Sequence, residues 1–333
     1  MCRFFIPSNA MKALSRLLCC LFALSLLLSL APAKAQEIVL KPTRINEQVW
    51  YFQGESGMAS RANKGYMSNA GFVVTGEGVL VFDALATPAL AQAMLKAIAG
   101  ITPLPVKRVI VSHYHADHIY GLQVFKAAGA QIWAHENGRK YVDSEVARER
   151  LAQRREELAP WVNASTHVVS ADRWLSFKDG KLQRFRFGGM DFTLFDASGA
   201  HSDEDIMLMV EPGRVLFAGD LYFTGRIPFV GNADSGRWLQ ALSLVEQAQP
   251  AVAVPGHGAA SSNTRADLEL TRRYLEYLRK SMGQAVENLT PFEEAYAKTD
   301  WSAFSGYPAF EAANRINAYG TYLLLERESL EQK

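Results

Sequence analysis

Along the chain, short blocks of continuous or two-periodic apolar residues trade places with blocks in which apolar residues recur every three or four positions. Val49–Phe52 and 71–74 read as short β segments, and 78–82 as a buried strand that ends at Asp83. The period then changes. Pro88 stands where a helix starts, and Leu90, Met94, Leu95 and Ile98 repeat at helical spacing through Ala99. The β-branched run 106–111 is a new strand, so strand, helix and strand alternate as in an α/β layer. Further along, the pattern predicts a helix over 121–128, a strand over 131–134 and one long charged helix over 136–158. Strands follow at Leu182–Phe187, 190–195, 206–210, 215–218 and Val252–Val254, with Gly188-Gly189 between the first two. From Asn263 onward the chain is helical, with Leu268, Leu270, Tyr274, Leu275 and Leu278 in one apolar stripe that reads as packing.

The N-terminus departs from this alternation. Lys12 and Arg16 precede an apolar run from Leu17 to Leu30, and Ala33-Lys34-Ala35 supplies a small-x-small cleavage pattern, so residues 1–35 read as a signal peptide cut after Ala35. Met11 opens a more compact signal than Met1 and is an alternative start. The run is shorter than the roughly 20 residues a spanning helix needs, which disfavours an uncleaved anchor. The expected location is therefore the periplasm or the exterior, without stable membrane insertion after cleavage. All three cysteines, Cys2, Cys19 and Cys20, lie in this segment. The mature chain then has no disulfide and no thiolate chemistry, in keeping with an oxidising compartment.

With 333 residues, 49% of them hydrophobic, the chain can build one sizeable core with a smaller appendage. The expected division is a main domain over 36–260 and a helical extension over 261–333 packed on it. The formal net charge of +1 comes from interspersed acids and bases, which leaves no footprint for nucleic acid. A small-molecule substrate is the expected partner.

The chemistry concentrates in Val109-Ile110-Val111-Ser112-His113-Tyr114-His115-Ala116-Asp117-His118. In an extended chain His113 and His115, two apart, project to the same side and can share one metal. Asp117 and His118 lie on the turn into the next helix, which swings them toward a second site. Three later residues have the same setting, each in a Gly-flanked turn at a strand end: His201 after Ser198-Gly199-Ala200, Asp220 after Ala218-Gly219, and His257 within Pro255-Gly256-His257-Gly258. Glycine suits such turns because the backbone must bend sharply without a Cβ in the way.

This order, His-x-His-x-Asp-His, a lone His, Gly-Asp, then Pro-Gly-His-Gly, resembles the metallo-β-lactamase superfamily from about Val49 to His257. The resemblance implies an α/β fold, a four-layer αββα sandwich with the metals at one edge, and two zinc ions per chain. His113, His115 and His201 would hold the first and Asp117, His118 and His257 the second, with Asp220 bridging. Asp83 matches the family's early strand-end Asp, which supports the ligands from behind. Class B1 β-lactamases place a cysteine on the second zinc where Asp220 stands, which disfavours that branch. The bridging Asp resembles glyoxalase II and lactonases, and the stretch from Asp220 to Phe229 with Asp234 and Trp238 is most similar to periplasmic metallohydrolases of quinoprotein and sulfur-oxidation systems. Two small departures are Ser112 for the usual Thr, and Ala200-His201-Ser202 for Gly-His-Thr.

Zinc lowers the pKa of a bound water from about 15.7 to about 7, so a zinc-held hydroxide can attack an ester, thioester, lactone or lactam carbonyl. The expected activity is such a hydrolysis, with Asp117 as a ligand that also orients the nucleophile or relays its proton. The alternatives are β-lactam hydrolysis, iron in place of zinc, and a metal-binding accessory protein of a quinoprotein or sulfur-oxidation system. Arg226 and Tyr222 are candidate substrate anchors, with packing as the competing reading. His135 reads as a surface histidine or a neighbour of the site, and His167 has no motif around it.

Overall fold

In the computed structural model, residues 38–178 and 180–331 are described. The expected signal peptide and its cysteines lie outside them. Seven strands form one sheet in chain order: β1 (Thr43–Arg44), β2 (Val49–Phe52), β3 (Ala70–Val74), β4 (Val79–Phe82), β5 (Val106–Ile110), β6 (Gln131–His135) and β7 (Arg173–Leu175). Pairing is antiparallel from β1 to β4 and parallel from β4 to β7. The second sheet contains β8 (Leu182–Phe187), β9 (Met190–Asp196), β10 (Ile206–Glu211), β11 (Val215–Phe217) and β12 (Val252–Val254), in spatial order β12-β11-β10-β9-β8. Only β11 and β12 pair in parallel there.

The sheets pack face to face because alternate residues of each strand are apolar toward the other sheet. Leu80, Phe82, Ile110 and Trp133 share one buried cluster with Phe192, Leu194, Leu208, Phe217 and Val254, and the Phe82 and Phe217 rings stack at 5.5 Å. Helices cover both outer faces. On the first sheet lie α1 (Pro88–Ala99), whose cap is the Thr87 hydroxyl, α2 (Ala116–Ile119) and α3 (Leu122–Ala127), which packs on β5, β6 and α1.

Against the second sheet lie α6 (Ser235–Gln247), α7 (Thr264–Glu287), α8 (Phe292–Lys298) and α9 (Phe310–Glu331). Trp238, Leu242, Leu268, Tyr274, Leu278 and Phe310 join Met207, Met209, Leu216 and Ala253 in one core. The fold is therefore a mixed α/β two-sheet sandwich with a helical C-terminal region. Among the described residues no helix is long and apolar enough to cross a membrane.

The expected single helix over 136–158 is divided. After a 3₁₀ turn at Glu136–Gly138 come α4 (Arg139–Val142) and α5 (Glu145–Glu157). Ser144 is extended, and its hydroxyl accepts from Ala147 N–H, which starts a new helix where the charge pattern alone suggested continuity.

Candidate metal centre

Parallel strands end on the same side, so β4, β5, β11 and β12 deliver their following loops to one edge of the sandwich. Register makes this concrete. Phe82 pairs with Ile110, and Phe217 pairs with Val254. One to three residues beyond those pairs come Asp83, His113, Asp220 and His257. The turn after β9 brings His201 to the same edge. All seven sequence-predicted ligands meet there. Ligand atoms of His113, His115, His201 and Asp220 lie within 4.8 Å of one another, as do those of Asp117, His118 and His257.

Asp220 joins the two groups. Its Oδ1 is 3.2 Å from His118 Nε2, and its Oδ2 is 3.3 Å from His257 Nε2 and 3.4 Å from His201 Nε2. Asp117 Oδ2 stands 3.2 Å from His257 Nε2 and 3.5 Å from His118 Nε2. Glycine is required beside it: a Cβ on Gly256 would fall 1.8 Å from Asp220 Oδ1.

Hydrogen bonds behind the rings fix which nitrogen faces inward. Asp83, buried and left-handed at φ 63°, accepts from Ser112 N–H at 2.7 Å and from the Ser112 hydroxyl at 2.8 Å. It also accepts from His118 Nδ1–H at 2.8 Å. With its proton committed to Asp83, the Ser112 oxygen accepts from His113 Nδ1–H at 2.9 Å. His257 Nδ1–H donates to the Met67 carbonyl at 2.7 Å. In its neutral form each of these three rings therefore turns an unprotonated Nε2 toward the centre.

Burial and charge set the titration of the cluster. Burial lowers His113, assisted by His118 and His115, and takes His115 to about 3 and His201 to about 4. Burial acts to lower His118 too, but Asp220, Asp117 and Asp83 outweigh it and raise that ring well above its ordinary value. His257 is raised for the same reason, by Asp220 and Asp117. Desolvation would raise both Asp117 and Asp220, yet His118 and His257 hold them below the usual carboxylate range. The carboxylates thus favour positive charge on His118 and His257, while His113, His115 and His201 are held toward the neutral form.

The donor set fits metal ions. His113 Nε2, His118 Nε2 and Asp220 Oδ1 are buried without a hydrogen-bond partner, a costly arrangement unless something else satisfies them. His115 Nδ1 and His201 Nε2 face each other at 2.9 Å, close to the roughly 3.3 Å between two nitrogens on one tetrahedral zinc.

Two expectations are corrected. Tyr222 is fully buried in the core of the second sheet, its hydroxyl unpartnered. Arg226, 1% exposed, lies behind His257: its guanidinium is 3.4 Å from His257 Nδ1 and donates to the Gly57 carbonyl at 3.1 Å. Both are walled off from solvent and do not reach a substrate; Arg226 backs the His257 ring, and Tyr222 belongs to the core. His135 is also buried, stacked on Phe177 with Nε2 3.5 Å from Asp196. His167 is exposed.

Sequence reasoning missed the clamp at Met67–Asn69. The Asn69 amide donates to the carbonyls of Pro255 and Gly258 at 2.8 and 2.7 Å, and the Ser68 hydroxyl to that of Asp117 at 2.5 Å. Nothing in a polar loop before a strand announces this. Phe223, stacked on His257 at 4.9 Å, and Trp238, edge-on to His201 at 4.8 Å, wall the rings.

A two-sheet sandwich carrying a His/Asp cluster at its strand-terminal edge defines a metal-binding αββα protein. Residues 63–257 match the Metallo-beta-lactamase superfamily, and the chain belongs to it. It is 22% identical over 243 residues to metallo-beta-lactamase IND-1 of Chryseobacterium indologenes, covering 71% of this chain and 89% of that one. To metallo-beta-lactamase type 2 of Elizabethkingia meningoseptica it is 25% identical over 200 residues, 58% and 69% of the two chains. Among solved structures it is similar to a metallo-beta-lactamase from Pontibacter korlensis, with TM-score 0.56 and 20% identity over 71% of this chain and 99% of that one. The stereoselective inverting sec-alkylsulfatase Pisa1 from Pseudomonas sp. superposes with TM-score 0.63 and 15% identity, over 86% of this chain and 50% of its own. At those identities the structural likeness speaks for the fold. Superfamily and His/Asp clusters together make the chain a metallo-hydrolase-type protein.

Proposed function

We propose that the protein is an exported dinuclear zinc hydrolase that cleaves an ester, thioester, lactone or lactam carbonyl bond. The observation that carries this reading is the meeting of two ligand groups on Asp220, with the Nε2 atoms of His113, His118 and His257 turned inward by the partners of their Nδ1 atoms, Ser112, Asp83 and Met67. His113, His115 and His201 would hold one ion, Asp117, His118 and His257 the other, and Asp220 both. When bound, zinc supplies an acidified water and a Lewis acid for the carbonyl. Asp117, with one oxygen 3.2 Å from His257 Nε2, has a second oxygen with which to orient a water or accept its proton. Trp238 and Phe223 exclude solvent on one side of the rings. A place beside periplasmic quinoprotein or sulfur-oxidation systems rests on the resemblance of the stretch after Asp220.

β-Lactam hydrolysis is the second reading, favoured by the names of the curated relatives. Against it stands the missing thiolate: no cysteine occurs among the described residues, and Asp220 occupies the position of the class B1 cysteine. Zinc and iron content of the protein expressed without metal supplementation, followed by an ester, thioester, lactone and chromogenic cephalosporin panel, tests the proposal. Two zinc per chain with turnover of a non-lactam substrate is expected. Iron as the dominant metal, turnover of the cephalosporin alone, or no hydrolysis by the zinc-loaded protein would overturn it.

A further inference from the structure

The metal centre opens into a cleft of about 880 Å³, into which His115 and His201 face. One wall comes from α4 and α5, and α5 carries four arginines. Three are spent. Arg148 bonds Glu145, Arg154 pairs with Glu157, and Arg155 donates to the carbonyls of Asn163 and Thr166. Arg150 differs. It lines the cleft, half-buried, with no hydrogen bond or ion pair among the described residues. Its helical neighbours three and four positions away are Ala147, Val146, Gln153 and Arg154, so no carboxylate stands at pairing distance on its own helix. Beside it in the cleft, the Tyr141 hydroxyl is buried without a partner.

A half-desolvated guanidinium without a counter-ion is an unfavourable thing to build unless something else supplies the charge. The acids of the cleft do not. Asp234 caps α6 and pairs with Arg237. Glu204 is buried and accepts from Tyr114 N–H, with no ion pair to Arg150. Asp203 alone is exposed, against Lys140, Arg150 and Arg327.

We infer that Arg150, assisted by the Tyr141 hydroxyl, is a specificity-determining anion site of the cleft, and that the substrate carries a carboxylate or sulfo group beside the bond to be cleaved. This rests on the hydrolase reading for the word substrate but not for the anion site itself. A planar fork of donors matches either oxyanion. The apolar side chains of Val146, Phe229 and Ile316 line the same cleft and suit a short hydrocarbon portion.

Binding, not turnover, tests it. Pentanoate, 1-pentanesulfonate and neutral pentanamide are titrated calorimetrically into the zinc-loaded protein and into R150A, R150K and Y141F, with zinc content and melting temperature checked for each. R150A is expected to weaken an anion by about tenfold or more while pentanamide is unaffected, R150K to retain part of the affinity, and Y141F to lose less than R150A. Loss confined to pentanoate names a carboxylate site; loss confined to the sulfonate names a sulfo site. The inference is overturned if the anions bind R150A as tightly as the unaltered protein, if pentanamide loses as much, or if neither anion binds the unaltered protein. A protein without hydrolase activity that still shows the Arg150-dependent loss would refute the proposed reaction and leave the anion site standing.

Discussion

Replacing Asp83 by Asn tests how the ligand nitrogens are set. The substitution is nearly isosteric, and Asn, like Asp, tolerates the left-handed φ of 63° at this position, so the backbone stays unstrained where Ala would not. The amide oxygen can still accept from Ser112 N–H, now at 2.7 Å. The amide nitrogen, however, replaces an acceptor of two protons with a donor. Facing His118 Nδ1, it forces that neutral ring to carry its proton on Nε2. Facing the Ser112 oxygen, it turns the hydroxyl proton toward His113 Nδ1, which moves the His113 proton to Nε2 as well.

One atom therefore blocks two inward nitrogens, one in each ligand group. Losing one such supporting contact typically costs 10–100-fold in metal affinity, and with two ligands affected the upper end applies, about 100-fold or roughly 2.7 kcal/mol. Zinc affinity is read by competition with a chelating dye, and circular dichroism with a thermal melt establishes that the variant is folded. A folded Asp83→Asn protein that binds zinc within about twofold of the unaltered chain would refute the tautomer argument.

Two further perturbations separate the centre from the scaffold. Gly256→Ala drives a methyl to within 1.8 Å of Asp220 Oδ1, so both zinc affinity and stability should fall, the latter by about 1–3 kcal/mol in urea denaturation; an unchanged midpoint contradicts the contact. Asp205 is 3% exposed, and burial raises its carboxyl well above the ordinary 3.8, against two bonds from Ser202. Its folded pKa being the higher one, it contributes stability at low pH that is lost as pH rises from 3.8 through the raised value. Asp205→Asn should therefore gain melting temperature over the metal-free unaltered chain at about pH 8 and much less at about pH 4. Equal curves at both pH values would discount the shift.

What the sequence made legible were features in which chemistry and secondary structure share a position. His113 and His115 follow a β-branched run, and Asp220 and His257 follow apolar triplets with glycine beside them, so strand ends and ligands announce one another. The break before α5 was also written locally, in Ser144 followed by Glu145, but the charged run around it obscured the cap. Arg226 and Tyr222 went astray for a different reason. Their distance from Asp220 along the chain was known, whereas the direction of the turn was not, and Phe223 pairing with His257 carries both neighbours inward, away from the cleft. The Asn69 clamp spans 186 and 189 positions to its acceptors, and no local pattern encodes such a partner. Residue spacing announces ligands well and their supports poorly.

Those supports determine what metal binding must do. Ser68 holds the Asp117 backbone, Asn69 the His257 turn, Ile206 N–H bonds the Ser112 carbonyl and Ala84 N–H that of His118. The ligand loops are thus tied to one another by contacts that need no ion. Such a scaffold cannot relieve the repulsion between the carboxylates of Asp117 and Asp220 by moving them apart, so the metal-free centre draws charge from solvent as protons. The two rings raised by those carboxylates, His118 and His257, are where these protons reside. Zinc needs the same nitrogens unprotonated, so its uptake should expel protons and its affinity should climb with pH through the range in which the rings titrate. Calorimetric zinc titrations in buffers of different ionisation enthalpy read the number released. Zero protons near neutral pH would mean that both rings are already neutral there, and the argument that the fixed carboxylates hold the centre protonated would fail.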